Sequence, residues 1–384
     1  MPQGHPAGAG RHEWGEADRE DGPFHAGVPG RGIALGRKDM TMMKAALRGL
    51  AACTLLAGSA AGVLAQEVTL KMHYFLPPQA IVPKMALAVW ADKIEAESDG
   101  RIKIQQFPSM QLGGTPPELA DQVIDGVADI IWTLPGYTPG RFPATEVFEL
   151  PFIAAGPEAT SKAFWEYSQT YGMDEFEGMK MLALWVHGPG VIHSETPVTS
   201  PADLNGMKLR APSRVTNMYF GELGATPIGM PVPAVPEALS KGVIDATVLP
   251  WEVTTSLKIS ELVNNHTEFP GDHALYVATM FLAMNQGAYD RLPDDLKAVI
   301  DANSGMALSA MAGDVMAQGD AIGRQLAVDH GNTLIELTPE QIAPWKAPAA
   351  EIEAKWIAEM DAKGLDGAGM VAAAKTLIAK YASE

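Results

Sequence analysis

The chain has 384 residues, 47% hydrophobic and 19% charged, enough for two to three domains at roughly 150 residues each and too apolar for wholesale disorder. Lys and Arg number 28 against 46 Asp and Glu, and the net charge of −18 repels phosphate backbones and anionic lipid. The one cysteine, Cys53, excludes an internal disulfide, a Cys-rich zinc site and an iron–sulfur cluster.

Residues 1–39 are rich in Gly, His and charge and show no apolar period. They read as a disordered extension or as a start assigned upstream of Met40. Residues 40–65 have the pattern of a secretory signal peptide: Lys44 and Arg48 are a basic region, Gly49 to Ala65 is apolar, and Val63-Leu64-Ala65 is a small-residue cleavage site. Leu50-Ala51-Ala52-Cys53 resembles a lipoprotein acylation box, but Arg48 interrupts the apolar run ahead of it and the run continues beyond it. Cleavage near Gln66 is the preferred reading. Without residues 1–65 the chain carries 21 basic and 40 acidic residues, net −19, and no cysteine, which suits an oxidising compartment. The expected location is the periplasm.

The mature chain then alternates strand and helix patterns. Val68, Leu70, Met72 and Tyr74 alternate with polar residues, a strand that Pro77-Pro78 ends. Apolar positions from Ile81 to Ser98 recur at helical spacing and stop at Gly100. Ile102 and Ile104 make a short strand, Thr115-Pro116-Pro117-Glu118 is a capping box opening a helix to about Gly126, and Asp129 to Thr133 is another strand. Further strands are expected at 183–186, 207–211 and 244–249, with helices at about 215–223 and 236–241. Residues 292–330 read as helix broken near Gly305, and Thr338-Pro339-Glu340-Gln341 caps a helical tail. This order implies two α/β lobes followed by a helical C-terminal third.

The catalytic inventory is thin. No H-E-x-x-H, G-x-S-x-G or Walker loop occurs, and residues 66–384 contain no G-x-G-x-x-G. His187 and His193 stand six apart in a Gly/Pro segment, and two histidines supply too few ligands for zinc. Met280 and Met284, at helical or mixed spacing, fit core packing better than a soft-metal site. No cofactor and no metal is expected.

One motif stands out, Asn205-Gly206-Met207-Lys208-Leu209-Arg210-Ala211-Pro212. A strand ending in arginine just before proline sets a guanidinium at a carboxyl strand edge, which in open α/β sheets faces the ligand crevice. Its planar fork matches a carboxylate. The competing reading is a surface arginine paired with a nearby acid.

Residues 66–384 resemble the periplasmic solute-binding proteins of TRAP (tripartite ATP-independent periplasmic) transporters. The matching segments, in order, include Phe107-Pro108-Ser109-Met110-Gln111-Leu112-Gly113, Val147-Phe148-Glu149-Leu150-Pro151-Phe152, the Arg210 segment, Gly224-Ala225-Thr226-Pro227, Pro236-Glu237-Ala238-Leu239 and Gly242-Val243-Ile244-Asp245. The resemblance implies a two-lobe α/β periplasmic binding protein fold with a central ligand cleft, crossing strands, a long hinge helix and a helical C-terminal region. The implied division is lobe 1 at 66–187 with about 275–315, and lobe 2 at 188–274 with about 316–384. The implied function is capture of a small organic carboxylate and delivery to TRAP membrane permease subunits. The family arginine that grips the ligand carboxylate matches Arg210. A second arginine of sialic-acid-binding members would fall near Gly190 and is absent, and their asparagine before the last lobe-two proline is Leu249 here.

Aromatic residues at the expected strand ends, Tyr74, Trp132, Tyr137, Trp185 and Trp251, point to an aromatic or other hydrophobic monocarboxylate. His187 is a candidate partner for a ligand hydroxyl, and Arg214 either a second anion contact or a surface residue. Two other functions stay open: a periplasmic ligand sensor for a signalling receptor, and an enzyme acting on an organic acid. Neither nucleic acid nor a membrane span is expected of the mature chain.

Overall fold

The computed structural model describes residues 68–384. The expected extension at 1–39, the signal peptide at 40–65 and Cys53 lie outside the described residues. Two sheets organise the described chain. In the first, β1 (Val68–Tyr74) pairs in parallel with β2 (Ile102–Phe107) and with β3 (Ile130–Thr133). The sheet is completed by β10 (Thr279–Asn285), antiparallel to both β3 and β4 (Met179–Val186). The second sheet runs β11 (Thr333–Glu336), β9 (Asn265–Glu268), β5 (Val191–Ser194), β8 (Ala246–Leu249), β6 (Lys208–Ala211), β7 (Thr226–Gly229).

The first helical stretch begins at Ile81, where the apolar period implies. Pro83 starts a π-helical turn, Pro83–Leu87, which runs into α1 (Ala88–Glu97). The Thr115 capping box is present and leads through a 3-10 turn into α2 (Leu119–Ile124). Then come α3 (Pro157–Ser168), α4 (Arg214–Glu222), α5 (Val235–Ser240), α6 (Trp251–Leu257) and α7 (Ile259–Leu262). Short α8 (Gln286–Asp290), α9 (Asp294–Ala302) and the 24-residue α10 (Met306–Asp329) come next, with the expected break at Gly305. Two long helices, α11 (Pro339–Ala362) and α12 (Gly367–Ala382), close the chain.

Two stretches carry the chain between the sheets. Residues 187–190 lead from β4 to β5, and 269–278 lead from β9 back to β10. They pair with each other: Gly190 N donates to Tyr276 O at 3.1 Å and His187 N to Ala278 O at 3.4 Å. The long helix α10 spans both halves, packing on α3 and β4 at one side and on α6 and β11 at the other. Its Gly319 and Gly323 make this possible, because a Cβ at either would overlap Glu252 or the Trp251 carbonyl. The last helix departs from the expected grouping of 316–384 with the second lobe. It packs on α3, burying Met370, Val371, Ala374 and Ile378, and Lys380 and Tyr381 meet Glu166 there.

Sheet interiors explain two further differences. His73, expected on a polar face of β1, is buried, because β1 lies between two partners, and Gln122 bonds its ring at 2.7 Å. Met280 and Met284 lie on a strand rather than a helix, both buried in β10. Among the described residues no helix is long and apolar enough to cross a membrane.

Candidate functional site: a cavity between the two sheets

Parallel strands send their carboxyl ends to one place. β1 delivers Phe75 and Leu76, β3 delivers Leu134 and Tyr137, β6 delivers Arg210 and Pro212, and β8 delivers Leu249 and Pro250. The crossing residues His187, Tyr276 and Ala278 form the back. Together they line one cavity between the two sheets. The wall is mostly apolar or aromatic, with Trp132, Val232, Val253 and Met280 adding to it.

Arg210 is the cation of this cavity. It is 1% exposed. Strand β6 is flanked by β7 and β8, with Arg210 opposite Ile228 and Thr247, so the side chain leaves the sheet edge within a wall of carbonyls. Its Nε donates to Met230 O at 2.9 Å and its Nη1 to Val248 O at 3.3 Å, while Nη2 is buried with no partner. No carboxylate pairs with it among the described residues. Burial pulls its pKa down, and the neighbouring Tyr137 and Tyr276 hydroxyls act the other way. Tyr276 also buries a hydroxyl without a partner, and burial drives its pKa upward. A buried cation lacking a counter-charge is costly, and a carboxylate with matching geometry offsets that cost.

Of the predicted site residues, Arg210, Trp132, Tyr137 and His187 come together at the cavity, and four do not line it. Tyr74 turns away to donate to Gln106 Oε1 at 2.8 Å, its ring lying 6.2 Å from Trp132. Trp185 is a second layer, stacked 6.1 Å behind Trp132 at 18°. Trp251 points to the opposite side of β8, where its Nε1 donates to Glu268 at 2.8 Å and its ring packs on His193 and His266. Arg214 is occupied: Glu146 takes its Nη2 and Glu359 its Nη1, each at 2.6 Å.

His187 lines the cavity but has nothing left to offer a ligand. Its Nε2 accepts the Ala278 N–H at 2.9 Å, which fixes Nδ1 as the protonated nitrogen, donating to Gly188 O at 2.6 Å. Burial holds its pKa down to about 4, so the ring is neutral. His193 is far from a metal set. Its Nδ1 meets His266 Nδ1 at 2.7 Å and its Nε2 meets Leu249 O at 3.2 Å. No cluster that could hold a metal occurs among the described residues.

Several lining residues carry no sequence signal. Tyr276 and Ala278 lie in an irregular crossing, Phe75 sits just past a strand end, and Glu252 reads as an ordinary solvated acid. A Cβ at Gly190 would overlap the Tyr276 ring, so the two crossing stretches pack closely at the back of the cavity.

The lobes meet across the cavity. The Val232 N–H donates to Tyr137 Oη at 3.0 Å, and Arg214 of the second half reaches Glu146 of the first. These contacts describe a closed cleft.

Residues 73–359 match the family model described as bacterial extracellular solute-binding protein, family 7. A TRAP solute binding protein from Rhodoferax ferrireducens, in complex with copurified benzoate, is 50% identical, with a TM-score of 0.81 covering 82% of this chain and 99% of that one. A marine metagenome TRAP solute binding protein specific for aromatic acid ligands, with co-crystallised 3-hydroxybenzoate, is 48% identical, with a TM-score of 0.81 covering 83% of this chain and 99% of that one. The C4-dicarboxylate-binding periplasmic protein DctP of Rhodobacter capsulatus is 28% identical over 288 residues, 74% of this chain and 84% of that one. The two-sheet architecture, the strand-end cleft and a match over most of the chain agree: this chain belongs to the family-7 extracellular solute-binding proteins, the periplasmic solute-binding subunits of TRAP transporters.

Proposed function

We propose that the chain captures an aromatic monocarboxylate in the periplasm and presents it, with the lobes closed, to TRAP permease subunits. The observation that carries this is Arg210, a buried guanidinium without a counter-charge, opening on a cavity walled by rings and aliphatic groups. The carboxylate occupies the free Nη2, with the Tyr276 and Tyr137 hydroxyls beside it. The organic skeleton lies among Phe75, Trp132, Val232, Leu249 and Met280. The mostly apolar and aromatic wall favours a ring over a sugar acid. Support also comes from the two relatives near half identity, whose ligands are benzoate and 3-hydroxybenzoate.

The ligand leaves unchanged. A reaction would need a base at the carboxylate, and the one imidazole there has both nitrogens committed to backbone. Hinge closure is the working motion, as in other periplasmic binding proteins.

The test is a thermal-shift panel of carboxylates followed by calorimetry. Aromatic monocarboxylates should raise the melting temperature, since they bind the native form alone. Arg210→Ala should lose roughly 2–5 kcal/mol of binding, more than tenfold in affinity. Equal affinity in variant and wild type, or a shift caused by sugar acids and none by aromatic acids, would refute the reading. Mass spectrometry should return the ligand intact.

A further inference from the structure

A second polar group lines the cavity and takes no part in holding the carboxylate. Glu252 stands at the start of α6, directly after the strand end that supplies Leu249 and Pro250. It is 2% exposed, and its Oε2 is fully buried without a hydrogen-bond partner. Its backbone N–H is used, donating to Asp320 Oδ1 at 2.8 Å, and its Cβ packs against Gly319 of the long helix. The carboxyl itself makes no hydrogen bond among the described residues. An acid buried this way costs free energy that a ligand group of the right kind recovers.

The environments of the two polar groups differ. The Arg210 charge acts on His187, Tyr137 and Tyr276. The carboxyl of Glu252 responds to burial first and to Asp320 second, and together they push its pKa up to about 8. At neutral pH it is therefore mostly a neutral acid, with an O–H to donate and a carbonyl to accept. A ligand carboxylate is drawn to the Arg210 guanidinium, the cation among the cavity's lining residues. What fits beside Glu252 is a neutral group that both donates and accepts, and on an aromatic acid that is a hydroxyl.

We infer that Glu252 is a specificity-determining residue that hydrogen-bonds a hydroxyl on the ring of an aromatic acid whose carboxylate is held by Arg210. The inference rests on the aromatic-acid reading of the cavity. It selects, within that class, hydroxylated over plain rings. A plain ring leaves the Glu252 carboxyl unpartnered, whereas a hydroxylated ring satisfies it. Sites built to hydrogen-bond a ligand hydroxyl discriminate against the analogue lacking it for this reason.

The experiment compares benzoate with meta- and para-hydroxybenzoate by calorimetry on wild type, Glu252→Gln and Glu252→Leu. In wild type at least one hydroxylated acid should bind ten times or more tighter than benzoate. Glu252→Gln keeps a donor and an acceptor and should retain most of that ratio. Glu252→Leu should bring the ratio to about one. Melting curves of the unliganded variants check folding, and replacing an unpartnered buried acid by an apolar group of similar size is compatible with a stable fold. A ratio near one in wild type, or one unchanged in Glu252→Leu, would overturn the inference while leaving the aromatic-acid reading intact. Tighter binding of meta-aminomethylbenzoate than of either hydroxybenzoate would overturn it in favour of an ionised Glu252. Binding of none of these acids would remove both.

Discussion

The floor and the mouth of the cleft each hold an arginine, four residues apart in sequence, and they do opposite things. Arg210 at the floor is buried, bonded only to carbonyls, and has an idle Nη2. Arg214 at the mouth has a side chain 26% exposed and two carboxylates, Glu146 and Glu359, which keep its guanidinium charged beyond its ordinary range. Charge alone does not mark a ligand site. The buried charge whose partner is missing marks it, and the paired one is a strut between halves of the molecule.

Exchanging each arginine for methionine tests this contrast most severely. Arg210→Met should abolish most ligand affinity, again roughly 2–5 kcal/mol, yet disturb the unliganded melting temperature little, because it removes an uncompensated buried cation along with two carbonyl bonds. Arg214→Met should do the reverse. It strands Glu146, whose side chain is 8% exposed and whose other neighbour is Trp356 Nε1 at 3.2 Å. Leaving a buried acceptor unpaired costs about 1–3 kcal/mol. Paired thermal-shift and calorimetry measurements should give opposite rank orders for stability and affinity. The same order in both would end the distinction between floor and strut.

The pH dependence of stability sharpens it. Burial raises Glu149, Glu175 and Asp320 to about 7 and Glu252 to about 8. Each such carboxyl titrates higher folded than unfolded, so its contribution is complete below its ordinary range and is lost as pH rises through 7 to 8. His187 and His266, held down to about 4, contribute above 6.5 and lose it on acidification. Between pH 4.5 and 6.5 the two sets oppose, and above 6.5 the acids act alone. With four acids against two histidines, denaturant midpoints should fall with pH already between 4.5 and 6.5 and more steeply from 6.5 to about 8, at roughly 1.4 kcal/mol per pH unit for each proton involved. Glu252→Gln should flatten the alkaline side. A midpoint that climbs from pH 6.5 to 8.5 would contradict the buried-acid assignment.

Gly190→Ala probes the back of the floor. The added methyl overlaps the Tyr276 ring, which must move. Overpacking of this kind typically costs about 1–3 kcal/mol, and displacing Tyr276 should weaken ligand binding as well. Wild-type melting temperature together with wild-type affinity would show that the crossing strands have slack.

The reach of the sequence is set by the same physics. Arg210 was legible because strand, arginine and proline fix backbone direction locally, and the capping boxes at Thr115 and Thr338 announced their helices for the same reason. The tryptophans divided. Trp132 reached the cavity and Trp251 did not, because facing across a strand end depends on which neighbour fills the other side, here Glu268 with His193 and His266. Four-residue strands such as β5, β7, β9 and β11 carry too few residues for a period, and their pairing partners lie far away in sequence. Glu252 was invisible because burial, not residue type, makes it unusual.

Tyr137 belongs to both floor and mouth, and its removal should have the smallest effect. Its hydroxyl accepts the Val232 N–H from the opposite half and lies beside the Arg210 guanidinium. Tyr137→Phe keeps the ring that packs 5.6 Å from Phe75 and deletes only the hydroxyl. A net hydrogen bond is worth roughly 0.5–1.5 kcal/mol, so affinity should fall about two- to tenfold. The loss should lie in the dissociation rate, because the contact exists only once the halves have closed, and most differences among variants of one site are in the off-rate. Stopped-flow fluorescence, with Trp132 in the wall as reporter, measures both rates. A slower association at an unchanged dissociation rate would mean that Tyr137 guides the ligand in, and that the closed cleft is held by Arg214 and Glu146 without it.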